Sequence, residues 1–113
     1  MRIYHNPRCS KSRQTLELIQ QAGLAPEIIE YLQNPPDATE LDGILELLGL
    51  EPQDLMRKGE AVYHELGLAQ STMNRGDAIQ IMVENPQLIE RPIVVDGQQA
   101  VIGRPPSNVL ALL

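Results

Sequence analysis

Apolar residues change their period along the chain, and the changes divide it into elements. Arg2-Ile3-Tyr4 is a short β-prone segment, followed by a polar turn with Pro7 and then by Leu16, Leu18, Ile19 and Ala22 at helical spacing, with Gly23 where a helix stops. Ser10 reads as the N-cap of this helix, over about residues 11–22. Glu27-Ile28-Ile29-Glu30-Tyr31 is a second extended run, so the first third has a strand-helix-strand pattern whose crossover makes the strands parallel. Asn34-Pro35-Pro36 then ends regular structure.

Between about 37 and 86 the period is helical. Thr39 precedes Leu41, Ile44, Leu45 and Leu48, with Asp42 in the capping-box position and Gly49 as the stop. Pro52 opens a short helix through Met56, and Glu60 to Leu66 forms another. Asp77 reads as the N-cap of Ala78 to Glu84, with Ile79, Met82 and Val83 inward and Asn85-Pro86 closing it. The last third returns to alternation. Ile93-Val94-Val95 and Ala100-Val101-Ile102 flank Asp96-Gly97 and predict an antiparallel hairpin with a four-residue connection or a bulge, followed by a short apolar helix over Ser107 to Leu113. The expected fold is α/β, a thioredoxin-like mixed sheet in the order βαβ, helical insertion, ββα. It forms one domain, 1–113, with βαβ over 1–34, the insertion over about 37–86 and ββα over 90–113.

Composition narrows the chemistry. A chain of 113 residues suffices for one compact domain. A net charge of −6 and the lack of Trp and Phe argue against a nucleic-acid partner, which selects a basic face and stacking rings. The first residues show no charged stretch leading into an apolar one, and no apolar run approaches a membrane span, so a cytoplasmic location without membrane association is expected. The chain shows no unusually apolar predicted surface, and a monomer is the default.

One cysteine excludes an internal disulfide and a two-cysteine redox motif. Cys9 falls on the turn between the first strand and the first helix, where unpaired backbone N–H groups and the helix dipole favour a thiolate and receive an anion. Arg8, Lys11 and Arg13 add positive charge nearby. Arg57, Arg91 and Arg104 stand at the edges of elements, and arginine suits tetrahedral oxyanions because its planar fork donates bidentately. His5 and His64 do not make a metal-ligand spacing, and no metal is expected.

Ile3-Tyr4-His5-Asn6-Pro7-Arg8-Cys9 with Ser12-Arg13 and Thr15-Leu16, Glu30-Tyr31-Leu32, Asn34-Pro35-Pro36, Leu55-Met56-Arg57-Lys58, Glu65-Leu66-Gly67-Leu68, Arg91-Pro92-Ile93-Val94-Val95 and Gly103-Arg104-Pro105 together resemble the glutaredoxin-coupled arsenate reductase family, in order and across essentially the whole chain. The resemblance implies that Cys9 attacks arsenate, that His5 assists thiolate formation and that Arg57, Arg91 and Arg104 bind the oxyanion. It also implies a cis-proline at Pro92, glutathione as co-substrate, glutaredoxin as partner and no bound cofactor. Ser10-Lys11 departs from the small pair usual after the cysteine, which bears on substrate preference. A phosphatase-like reductase would have an arginine six positions after its cysteine, where this chain has Thr15. Two alternatives stay open: a monothiol glutathione-dependent oxidoreductase acting on another substrate, and a non-enzymatic Spx-like regulator, although the Cys-x-x-Cys switch of the latter is absent.

Overall fold

The computed structural model describes residues 1–113, which divide into two compact units, Met1–Asn34 with Arg91–Leu113, and Pro35–Glu90. The first unit is built on a four-stranded sheet. Strand β1 (Arg2–His5) pairs in parallel with β2 (Glu27–Glu30) and antiparallel with β3 (Ile93–Asp96), which pairs antiparallel with β4 (Gln99–Ile102), giving the order β2-β1-β3-β4. The sheet is mixed, as expected, because the helical crossover from β1 to β2 returns the chain in the same direction whereas a tight hairpin reverses it.

Helix α1 (Ser10–Gln21) and a closing 3-10 helix (Pro106–Leu112) cover one face of this sheet. Ile3 and Val94, opposite each other on the central strands, pack with Ile19 and Val109 into a core from which water is excluded, flanked by Met1, Leu16, Leu18, Val101 and Leu112. A Leu or Ile buried in this way contributes about 1.5–3 kcal/mol. Gly23 ends α1 with φ +82°: its N–H donates to Gln20 and that of Leu24 to Ile19, a Schellman closure that a residue with a Cβ would strain.

Three sequence expectations in this unit are corrected. Cys9, not Ser10, is the extended N-cap residue of α1, and Ser10 is its first helical residue. The β3–β4 connection is two residues long with no bulge: Asp96 pairs with Gln99, and only Gly97 of the intervening pair has positive φ, +60°, the pattern of a type II′ turn that suits strand twist. The C-terminal segment winds as a 3-10 helix. Pro92 follows a cis peptide bond, as the resemblance implied, and so does Pro105.

The second unit is helical: α2 (Ala38–Leu48), α3 (Pro52–Leu55), α4 (Ala61–Glu65) and α5 (Arg75–Glu84), with 3-10 turns at Leu68–Gln70 and Pro86–Leu88. Its core joins Leu41, Ile44 and Leu45 of α2 to Ala78, Ile79 and Met82 of α5, with Val83 only half-buried. Both long helices begin earlier than the pattern suggested. Asp37 caps α2 by accepting from the Glu40 N–H at 2.8 Å, so Thr39 lies inside it; Asn74 caps α5 by accepting from the Asp77 N–H at 2.8 Å, which makes Asp77 the capped residue. In each case the helix starts at the first polar acceptor able to satisfy the N3 amide, before the apolar period begins. Asp42 does not cap α2; it receives a 2.7 Å bond from Nε of Arg75, tying α5 to α2. No helix is long and apolar enough to cross a membrane.

Candidate active site

The turn that carries the cysteine is closed by its own hydrogen bonds. The Cys9 N–H donates to the Asn6 carbonyl at 3.0 Å, the Arg8 N–H to Asn6 Oδ1 at 3.0 Å, and the Arg13 N–H to the Cys9 carbonyl at 3.0 Å, which is the first bond of α1. Arg13 Nη1 reaches back to the Pro7 carbonyl at 2.9 Å. Cys9 therefore sits against the unshared N–H groups of the first helical turn, and its sulfur makes no capping bond that would occupy it. The residue is 9% exposed, so the cysteine is largely sheltered from solvent.

Arg104 approaches that sulfur from the far end of the chain. Its Nη1 lies 3.9 Å from Cys9 Sγ, within the reach of an N–H···S contact. The backbone just before it is pinned twice: the Gly103 N–H donates to the Pro92 carbonyl at 2.9 Å, and Thr15 Oγ1, itself bonded to the Lys11 carbonyl at 2.8 Å, lies 3.4 Å from the Gly103 carbonyl. A Cβ at Gly103 would overlap Thr15 and come within 2.8 Å of Pro92 Cγ, so glycine is required there for space. Arg91 precedes β3 as Arg104 follows β4. Because Ile93 and Ile102 pair, the two arginines flank the same end of the hairpin, and Nε and Nη1 of Arg91 are buried.

His5, 6% exposed at the end of β1, turns Nδ1 toward Ser12 Oγ at 2.6 Å rather than toward Cys9; the same hydroxyl accepts from the Asn6 N–H at 3.0 Å. Burial lowers its pKa from the ordinary 6.5, the Glu30 carboxylate opposes the shift and Arg13 adds to it, so the ring favours its neutral form. Arg57 belongs to the helical unit. Its guanidinium is oriented there by Glu60 (Nη1 to Oε1, 3.1 Å) and Glu90 (Nε to Oε1, 3.6 Å), and its N–H donates to the Leu88 carbonyl at 2.7 Å. His5, Cys9, Arg91 and Arg104 thus share one unit, and Arg57 stands in the other.

Two participants escaped the sequence reading. Ser12 and Thr15 are fully buried on α1, and their spacing with Ile19 puts all three on the inward face; a hydroxyl on that face is a signal, since buried hydroxyls take partners. The charge balance also divides. The unit with the cysteine holds Arg2, Arg8, Lys11, Arg13, Arg91 and Arg104 against Glu17, Glu27, Glu30 and Asp96, so the acidic surplus of the chain lies in the helical unit and the net charge of −6 does not describe the field around Cys9. No three of the His, Cys, Asp and Glu side chains gather as a metal site would need.

The model of the ArsC family matches residues 4–112. The chain is 50% identical to the uncharacterized protein YfgD of Escherichia coli K12, over all of this chain and 96% of that protein. It is 41% identical to an arsenate reductase of Neisseria meningitidis serogroup A, over all of this chain and 97% of that one. Among solved structures, an arsenate reductase from Vibrio cholerae superposes with a TM-score of 0.95 at 48% identity, covering 99% of this chain and 96% of that chain. A match that runs through both units at such identity extends to the turn, the hairpin and the helical insertion alike, and the chain belongs to the ArsC family.

Proposed function

We propose that this chain reduces arsenate to arsenite, with Cys9 as the nucleophile and glutathione and glutaredoxin as the electron donors. The observation that carries the reading is the 3.9 Å approach of Arg104 to a lone cysteine at a helix N-terminus. Such a site holds a tetrahedral dianion beside a sulfur nucleophile, and the relatives named arsenate reductase supply the substrate.

Arsenate enters against the N–H groups of α1, with the forks of Arg91 and Arg104 on its oxygens. The Cys9 thiolate attacks As(V) and forms the S–As bond; one arsenate oxygen leaves with protons as water. The arginines stabilise charge that gathers on the remaining oxygens, while His5 assists the thiolate. Glutathione then bonds to arsenic through sulfur, and a second arsenate oxygen leaves with the thiol proton as water. Glutaredoxin attacks that sulfur, the S–As electron pair stays on arsenic and reduces it to As(III), and the glutathione leaves in a mixed disulfide. Water displaces Cys9 and arsenite departs. Two thiols, of glutathione and glutaredoxin, are oxidised for each arsenic reduced, so both electrons come from outside and neither a resolving cysteine nor a bound cofactor takes part. A reducing compartment suits this cycle, and we assign the chain to the cytoplasm as a monomer.

The test is arsenate-dependent NADPH oxidation coupled through glutathione, glutaredoxin and glutathione reductase. Turnover requires arsenate, glutaredoxin and Cys9 together, and Cys9→Ser abolishes it without unfolding the protein. No turnover by a folded wild type sinks the reading and favours another thiol substrate or a binding role.

A further inference from the structure

The hydrogen bonds around His5 assign its hydrogen. Ser12 is fully buried, and its hydroxyl has two neighbours, the Asn6 N–H at 3.0 Å and His5 Nδ1 at 2.6 Å. The Asn6 N–H only donates, so the Ser12 oxygen accepts there. One hydroxyl hydrogen remains to be placed. Were Nδ1 protonated, two donors would point at one oxygen and the hydroxyl hydrogen would lose its acceptor in a dry site, at a cost of about 1–3 kcal/mol. With Nδ1 as the acceptor, the Ser12 hydroxyl and the Asn6 N–H are both satisfied, and the ring hydrogen lies on Nε2.

We infer that Ser12 is a positioning residue, which holds His5 as the neutral Nε2-protonated ring and, through Asn6, fixes Cys9 over the start of α1. The inference rests on the reading of Cys9 as the nucleophile. The second half follows from the turn: Ser12 holds the Asn6 N–H, and the Asn6 carbonyl holds the Cys9 N–H at 3.0 Å, so one hydroxyl links the end of β1 to the residue that carries the sulfur. The charged groups facing His5 are Glu30, its pairing partner on β2, and Arg13 on α1; they act on the ring in opposite directions. Positive charge beside the sulfur therefore comes from Arg104 and the helix N-terminus, while His5 contributes as a fixed neutral ring.

The experiment uses the full chain without arsenate. Long-range nitrogen–proton NMR spectra of His5, with exposed His64 as the internal reference, are expected to show an unprotonated Nδ1 and a protonated Nε2 at about pH 7. In Ser12→Ala the ring loses this single tautomer and the rate of Cys9 alkylation by iodoacetamide at the same pH falls by about fivefold. A wild-type ring protonated on Nδ1, or a Ser12→Ala protein with unchanged tautomer and alkylation rate, overturns the inference. If Ser12→Ala does not fold, the wild-type spectrum decides alone. Because arsenate is absent, a failure of the arsenate assay beside the expected His5 spectrum refutes the proposed substrate and leaves the role of Ser12 standing.

Discussion

At the scale of the residue, the site depends on geometry that charge alone does not supply. Arg104 reaches the Cys9 sulfur with one nitrogen of a planar fork, leaving a rigid donor set beside the place where an oxyanion would bind. Arg104→Lys keeps the charge and loses the fork. Its turnover with arsenate is expected to drop by about tenfold or more, with little change in melting temperature; steady-state kinetics equal to those of the wild type would exclude bidentate binding. His5 gives a second prediction. Its folded-state pKa lies below the ordinary 6.5, so between the two values the unfolded chain holds more protons than the folded one. The stability associated with the neutral ring is full above 6.5 and is lost as pH falls through the folded-state value. Denaturant melts of wild type and His5→Gln at about pH 7.5 and about pH 5.5 should show the larger loss in the wild type; equal losses would mean that His5 does not titrate abnormally.

At the scale of the element, the hairpin and α1 are brought together by small groups. Thr15 faces the Gly103 carbonyl, and the space at Gly103 is bounded by Thr15 and Pro92. Neither neighbour retreats easily, since one is held inside a helix and the other is a ring. Gly103→Ala is therefore expected to cost about 1–3 kcal/mol in chemical denaturation and to lower turnover by displacing the adjacent Arg104. An alanine variant of full stability and activity would show that the close approach has no such effect. The elements themselves were legible in the sequence, because each carries its own period: α1, α2 and α5 by helical spacing, β3 and β4 by alternation about Asp96-Gly97. Their starts were less so. Asp37 and Asn74 precede the apolar period, and a cap is chosen by which oxygen reaches the N3 amide, a matter of local backbone path rather than of pattern. Alternation alone makes the hairpin loop too long for a similar reason, since Gln99 is polar and exposed yet pairs with Asp96.

At the scale of the whole molecule, the strands of the sheet differ in their cover, and the turn that carries Cys9 leaves the end of a central one. Strands β1 and β3 are paired on both sides and bury Ile3 and Val94 completely, whereas β2 is an exposed edge. Native-state hydrogen exchange is expected to be slowest at amides of Ile3 and Val94 and markedly faster at β2; a β2 as protected as the central strands would require it to be covered in solution. The sequence alone determined the elements, the parallel first crossover, the single cysteine at a helix start and, by resemblance, the residues to watch, because period, turn chemistry and motif are properties of neighbours along the chain. Only the tertiary structure decided that Arg104 meets Cys9 across 95 positions, that Thr15 bounds the space at Gly103, and that Ser12 rather than Cys9 holds the His5 ring. These are contacts set by packing, where the distance between side chains depends on how sheet and helix fit rather than on spacing in the sequence.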